Sequence, residues 1–175
     1  SVINSSGNKL HYLGFSYAGG YKEKISSLES VPTDISVASG ACLFLTKEAI
    51  EDVGMFDEEF FLYHEDVDLS WRLRLRGWNI SLCKDAKAYH EYSFSKGIQK
   101  YYYMERNRIL FLLKNFGALY LFLIAPMFLV MEIALDFFSF KNGYVKERMR
   151  AWKYIFSKKN RDGIFNSRAN IQSNR

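Results

Sequence analysis

The chain contains little cysteine and little proline, with two residues of each in 175. Cys42 and Cys83 lie far apart and neither belongs to a CxxC pair, so the spacing indicates neither a zinc framework nor a disulfide scaffold. We expect two buried, reduced thiols in a cytosolic compartment. The N-terminus also lacks the basic, apolar and small-residue order of a signal peptide, so the sequence predicts no secretory routing.

The composition, at 49% hydrophobic and 17% aromatic residues, excludes a disordered chain, and the length suits about one domain. The net charge is +5. Basic residues flank a long apolar run on both sides, which favours a membrane surface as partner. Nucleic acid is disfavoured, because the basic C-terminal part carries few interleaved aromatics of the kind that stack on bases. The basic residues that flank the run are Lys100, Arg106, Arg108, Lys114, Lys141, Lys146, Arg148, Arg150, Lys153, Lys158 and Lys159.

The first hundred residues predict an α/β piece. Turn residues over 1–36 predict short strands with a mobile loop at 20–33. The run 36–46 reads as a buried strand, and residues 78–92 read as a strand, a turn and a second strand edge. Thr46 is typical of a helix N-cap and Gly54 of a helix end, which predicts a short helix between them.

Further along, the pattern is helical. A helix is expected from Glu65 to Gly77, and apolar spacing over 98–115 predicts another with one basic side. From Ala118 to Met131 there is no charge. Since about 20 apolar residues span a bilayer, the segment 117–140 predicts a spanning helix, a helix in the interface, or a buried helix or dimer face. We expect the polar, basic tail from residue 158 to fray.

Residues 65–68 crowd three carboxylates at the start of the predicted helix, beside His64 and behind several aromatics. One explanation is helix capping, in which Glu65 and Asp66 interact with the helix dipole and Asp68 pairs with Arg72. The other is that one carboxylate is a general base facing a cleft, because a base that takes a proton from an alcohol must be ionised. Phe56, Phe60, Phe61 and Tyr63 would then either wall that cleft or form core.

The stretch GACLFLTKEAIEDVGMFDEEFFLYHEDVDLSWRLRLRGWNISLCKDAKAYH, together with YYYMERNRILFLLKNF, resembles the second half of the catalytic domain of family 2 glycosyltransferases, particularly the rhamnosyltransferase-like members. The resemblance covers about residues 36–115. It implies an α/β fold that is a partial GT-A fold lacking the N-terminal nucleotide-binding half and followed by C-terminal helices. It divides the chain into an acceptor-side half at 1–97, a helical membrane-associating region at 98–157 and a basic flexible tail at 158–175.

The resemblance also assigns roles. Asp66 corresponds to the catalytic base that deprotonates the acceptor hydroxyl for inverting attack at the anomeric carbon, and Glu65 lines the acceptor side. Gly40 and Ala41 match small residues beside the donor sugar, and His90 matches a histidine that helps to hold a divalent metal, Mg²⁺ or Mn²⁺. Asp68 and Arg72 are further candidates for substrate binding.

The implied enzyme uses a nucleotide-diphospho-sugar donor and a glycan or lipid-linked acceptor in surface polysaccharide synthesis, at the cytoplasmic face of a membrane. The chain departs from the family pattern in one respect, because it has neither the βαβ half nor its DxD metal motif. The metal would therefore be held jointly with a DxD motif outside this chain. The alternative is a non-catalytic, truncated or split module that docks on a membrane or on a nucleotide-binding partner subunit.

Overall fold

The computed structural model describes residues 2–89 and 97–173. These residues form a mostly helical protein with one small sheet, and they divide into two compact units, Ser1–His11 with Phe15–Tyr92, and Tyr12–Gly14 with Ser93–Arg175. The first unit contains β1 (Asn8–Leu10), β2 (Ser16–Ala18), a 3₁₀ helix (Ile25–Ser30), α1 (Lys47–Val53) and α2 (Glu65–Leu75). The second contains α3 (Gln99–Asn115), α4 (Ala118–Asn142), α5 (Val145–Phe156) and α6 (Lys158–Ser173).

In the first unit, α1 and α2 enclose a small apolar core. The predicted bounds of α1 are confirmed: the Thr46 hydroxyl accepts a hydrogen bond from the Ala49 amide at 3.2 Å, and Gly54 ends the helix with a positive φ of 75°. The core residues that pack together are Ala38, Ala49, Leu69, Leu73 and Ile80. The alanine at the inner face of α1 brings that helix close to α2, which holds the segments on either side of both helices in place.

The strand predictions were only partly correct. β1 and β2 form an antiparallel hairpin, but the segment predicted as a buried strand at 36–46 takes part only in the single bridge between Asn8 and Val37. The described part of 78–92 likewise forms one bridge, Asp34 to Ser81, and the rest of that prediction lies outside the described residues. A strand requires a partner along its length. Here these apolar segments pack against helices instead of against further strands.

The three arginines that follow the acidic cluster, Arg72, Arg74 and Arg76, bind α2 to the rest of the first unit. Arg72 donates to the carbonyl of Val53 and, at 2.8 Å, to that of Met55. Arg74 pairs with Asp34, and Arg76 donates to Asp52 at 2.8 Å. All three guanidinium groups therefore have carboxylate or carbonyl partners within the first unit.

In the second unit, α3 packs against α5 and α6, and α5 also contacts α4. The segment from residue 158, expected to fray, is helical as α6 to Ser173, and its Ile164 is 2% exposed; its flexibility stays a prediction.

α4 is the apolar run of the sequence, and it is helical throughout despite Pro126. Among the described residues it is the helix long and apolar enough to cross a membrane, and only 6% of its most apolar window is buried in the protein. Its glutamate, Glu132, is buried and accepts from Arg108 at 2.5 Å and from Arg148 at 2.6 Å. The charge that interrupts the apolar run is therefore neutralised inside the second unit.

Both cysteines differ from the expectation of buried thiols. Cys42 and Cys83 are exposed and unbridged. Each lies in a segment for which a strand was predicted, and without a second layer of strands over these segments their side chains reach the surface.

Candidate active site

Asp66 is the second residue of α2, and its carboxylate links two backbone segments. Oδ1 accepts from the Val67 amide at 2.8 Å, and Oδ2 accepts from the Gly40 amide at 3.0 Å. The side chain is half-buried, and no lysine or arginine of the described residues forms an ion pair with it. Since a carboxylate has about four lone-pair sites, two sites stay available for a further donor.

The segment 38–40 is held along one face of α2. Asp66 and Ser70 are four residues apart and so point to the same side of the helix. The Ser70 hydroxyl accepts from the buried Ala38 amide at 3.1 Å, and Asp66 accepts from Gly40. The sequence interpretation missed Ser70, although its spacing of four from Asp66 was a signal that could have identified it.

Gly40 and Ala41, predicted to lie beside the donor sugar, are both exposed next to this tether. A Cβ atom added to Gly40 would lie 3.5 Å from the Cβ of Asp66, an ordinary van der Waals contact. The structure therefore brings Gly40 and Asp66 together from positions 26 residues apart. Contact of Gly40 and Ala41 with the donor sugar stays a prediction.

The backbone just before Asp66 has an unusual conformation. Phe61, Tyr63 and His64 have positive φ values of 58°, 68° and 68°. Bulky side chains rarely adopt this left-handed region, and such outliers cluster at functional sites. Because His64 is the N-cap residue of α2, the left-handed backbone sets the direction in which the chain enters the helix.

Glu65 sits beside Asp66 in an environment that disfavours its charge. Burial raises the pKa of the Glu65 carboxyl, and the nearby charge of Asp66 raises it further, against a backbone hydrogen bond that lowers it. Its Oε2 is buried with no hydrogen-bond partner among the described residues. The two neighbouring carboxyls thus differ in environment, and Glu65 keeps an acceptor atom unused.

Asp68 and Arg72, the other substrate-binding candidates, bind each other. Asp68 is 1% exposed, and its Oδ2 accepts from Arg72 Nε at 2.8 Å. The same arginine holds the carbonyls that follow α1. This is the helix pairing that their spacing of four predicted, and their binding of substrate stays a prediction.

The aromatic residues around the acidic cluster divide between core and surface. Phe60 is fully buried, whereas Phe61 is 73% exposed and Phe56 lies at the surface. Phe44, which the sequence interpretation did not single out, is 90% exposed in the segment that follows Gly40. A cavity of about 250 Å³ in the same unit does not include Asp66 and is lined by Ile25, Leu28, Glu29, Lys84, Asp85 and Lys87.

The predicted metal ligand, His90, lies outside the described residues. Across 2–89 and 97–173 no group of three or more histidine, cysteine, aspartate or glutamate side chains is arranged to hold a metal ion. The described histidine, cysteine, aspartate and glutamate side chains therefore do not form a metal site.

Comparison with known proteins gives three matches of interest. A family model described as glycosyl transferase family group 2 matches residues 22–142. An N-acetylglucosaminyl-diphospho-decaprenol L-rhamnosyltransferase of Mycobacterium tuberculosis is 39% identical over 70 residues, which is 40% of this chain and 23% of that protein. A low-salt glycan biosynthesis hexosyltransferase of Haloferax volcanii is 32% identical over 53 residues, 30% of this chain and 17% of that protein.

These matches span less than a quarter of the length of the curated relatives. No solved structure matches the chain.

Proposed function

Because the chain belongs to glycosyltransferase family group 2, we propose that it is the acceptor-side and membrane-proximal part of an inverting glycosyltransferase, with Asp66 as the general base. The enzyme would move a sugar from a nucleotide-diphosphate donor to a glycan or lipid-linked acceptor. The lipid-linked acceptor is proposed from the name of the mycobacterial relative, which specifies a decaprenol-linked acceptor. The single observation that carries the assignment of the base is the placement of Asp66.

Three features of that placement support a base. The carboxylate lies in the first turn of α2, where the helix dipole stabilises negative charge. The amides of Val67 and Gly40 hold its two oxygens in a fixed orientation. The free lone-pair sites can still accept a hydroxyl proton, which is the geometric requirement for general base catalysis.

The step balances as a single displacement. The acceptor hydroxyl oxygen attacks the anomeric carbon of the donor while its proton passes to Asp66, so a new C–O bond forms. The bond from that carbon to the diphosphate oxygen breaks, and the nucleoside diphosphate leaves with the electron pair. Attack opposite the leaving group inverts the configuration at the anomeric carbon.

Glu65 would orient the acceptor. A buried carboxyl oxygen without a hydrogen-bond partner carries a desolvation cost, and an acceptor hydroxyl that donates to Oε2 would remove it. In this arrangement Asp66 receives the reacting proton while Glu65 holds a second hydroxyl of the same sugar. The pairing uses two adjacent carboxyls in different environments for different tasks.

The remaining parts of the proposal concern groups outside the described residues. A partial GT-A fold implies a nucleotide-binding half that would complete the cleft over Asp66, and a divalent metal, Mg²⁺ or Mn²⁺, would neutralise the diphosphate there. His90 with a DxD motif of that half stays a prediction for the metal ligands. The exposed apolar helix α4 supports association with a membrane, at the cytoplasmic face in this proposal.

The test is the variant Asp66→Asn in the complete enzyme. Asparagine keeps the size of the side chain, and its one amide oxygen can still accept from the Gly40 amide, but it loses the second bond, from the Val67 amide, and cannot take a proton. We expect transfer to fall by about 10²–10⁴-fold, the usual contribution of a general base, while the lost hydrogen bond costs about 1–3 kcal/mol and the protein stays folded. Sugar transfer would be followed with radiolabelled donor.

Asp85→Asn provides a matched control, because Asp85 is an exposed aspartate of the same unit. It should transfer sugar at the original rate. Near-normal transfer by Asp66→Asn would refute the assignment and favour the alternative of a non-catalytic module that docks on a nucleotide-binding partner.

A further inference from the structure

The outward face of α4, defined here as the lipid face, is apolar and uncovered. Among its most exposed side chains are Phe122, Phe137 and Phe140, at 76%, 71% and 78%. At roughly 150–250 Å² for each aromatic side chain, these three alone expose on the order of 450 Å². The other large members of the lipid face are Leu119, Leu123, Met127, Leu129, Val130, Ile133 and Phe138.

The opposite face of α4 is joined to α3 and α5 by buried charges. Glu132 lies two residues beyond the midpoint of the helix and pairs with Arg108 of α3 and Arg148 of α5. Arg148 is itself held in place, because it also donates to Glu105 and Asp136 at 2.5 Å each. The middle of α4 is therefore fixed beside α3 and α5.

A spanning orientation conflicts with these contacts. If α4 crossed a bilayer, its midpoint would lie near the centre of the hydrocarbon, and the charge network at Glu132 would lie there too. The Asp136 side chain, 68% exposed, would then face lipid. The packing of α5 against α4 would also carry exposed basic residues into the hydrocarbon, where charged side chains are strongly disfavoured. These residues are Lys146, Arg150 and Lys153.

The surface around the lipid face is basic. Residues 93–175 contain fifteen lysines and arginines against five aspartates and glutamates, a net charge of +10 for the second unit. Three of those five acids, Glu105, Glu132 and Glu147, are buried, as are four of the basic residues, Arg106, Arg108, Lys114 and Arg148, so basic residues still outnumber acids on the described surface of this unit. The surface formed by α4 and α5 together, an apolar helix beside exposed basic side chains, therefore suits contact with an anionic membrane, where basic residues near the headgroups add to the attraction.

We propose that α4 lies in the plane of an anionic lipid leaflet, with the lipid face in the acyl region and the basic residues of α5 at the headgroups, and does not cross the bilayer. The inference takes its setting from the membrane association in the proposed function but does not depend on sugar transfer. It identifies the occupant of the lipid face as anionic phospholipid.

The sidedness of the two ends of α4 tests this directly. In a Cys42→Ser, Cys83→Ser background, single variants Ala118→Cys and Asn142→Cys place one thiol at each exposed end of the helix. The full chain is expressed in cells, and inverted membrane vesicles are treated with a membrane-impermeant maleimide. An in-plane helix gives labelling of both thiols without detergent, whereas a spanning helix protects one of them until detergent is added.

Vesicle flotation tests the occupant. The full chain should float with vesicles of phosphatidylserine and phosphatidylcholine, and the triple variant of Lys146, Arg150 and Lys153 to glutamine should bind them on the order of a hundredfold less. Phe122→Ser with Phe137→Ser should reduce binding at least tenfold. Phe165→Ser, an exposed phenylalanine of α6, is the matched control and should bind as the parent does.

Protection of one end of α4, equal binding to pure phosphatidylcholine, or a stable dimer that does not float would each overturn the proposal. All these readouts are independent of catalysis, so a loss of transfer in Asp66→Asn and a failure of in-plane docking can be told apart.

Discussion

Arg148 is the residue whose removal should damage the second unit most. Its guanidinium joins α5 to Glu105 of α3 and to Glu132 and Asp136 of α4, at distances of 2.5–2.6 Å between the charged atoms. The variant Arg148→Met keeps much of the side-chain volume but leaves two buried carboxylates with Arg108 as their remaining cationic partner. Removing one partner of a buried ion pair typically costs about 3–5 kcal/mol, and we expect a loss of about 3 kcal/mol because Arg108 still pairs with Glu132.

The loss should depend on pH in a direction set by Glu105. Burial already raises the pKa of Glu105 above its usual 4.5, and removing Arg148 takes away a charge that lowers it. A carboxyl whose pKa is higher in the folded than in the unfolded state binds more protons when folded. Its contribution to the free energy of unfolding is therefore largest below pH 4.5 and falls as the pH rises through the folded pKa. The variant should lose less stability at pH 5 than at pH 8.

Urea unfolding followed by far-UV circular dichroism measures the effect, since most helical residues belong to α3–α6. Arg150→Met is the matched control, because Arg150 is an exposed arginine of the same helix that stacks on Tyr102. It should cost less than about 1 kcal/mol. Equal losses in the two variants, or a loss for Arg148→Met that does not change between pH 5 and pH 8, would refute the argument.

Two further predictions concern the first unit. Ser70→Ala removes the acceptor of the buried Ala38 amide, so the free energy of unfolding should fall by about 1–3 kcal/mol in thermal or urea denaturation, whereas Ser30→Ala at the surface should change it little. Burial raises the pKa of Glu65, so its ionisation lowers the free energy of unfolding as the pH rises above 4.5. Glu65→Gln cannot ionise, and its free energy of unfolding should therefore fall less over that pH range. An unchanged pH profile for Glu65→Gln would contradict the burial argument.

Local chemistry was readable from the sequence. The Thr46 cap and the Gly54 stop defined α1, and the first-turn acids placed the start of α2 at Glu65, because caps and dipole effects involve residues within one or two turns. The contact between Gly40 and Asp66 was not predicted, since the family resemblance only gave each residue a separate role. Their hydrogen bond joins residues 26 apart, and no periodic pattern reports such a contact.

The errors were also non-local. Apolar runs at 36–46 and 78–92 have the composition of strands, but a strand forms only where a neighbour pairs with it, and here the neighbours are helices. Glu132 directly follows the uncharged stretch 118–131, and its partners, Arg108 and Arg148, are 24 and 16 residues away, too far for a local pattern to pair them. The sequence gives the charges, whereas their pairing depends on how α3, α4 and α5 pack.

The left-handed backbone at Phe61, Tyr63 and His64 limits which sequences can replace this one. Glycine, asparagine and aspartate adopt that conformation at little cost, whereas valine and isoleucine resist it. If these three positions are randomised, the variants that still fold should therefore be enriched in glycine, asparagine and aspartate there. An engineer who wishes to vary an aromatic side chain of this unit has more latitude at Phe44, which is 90% exposed, than in the turn itself.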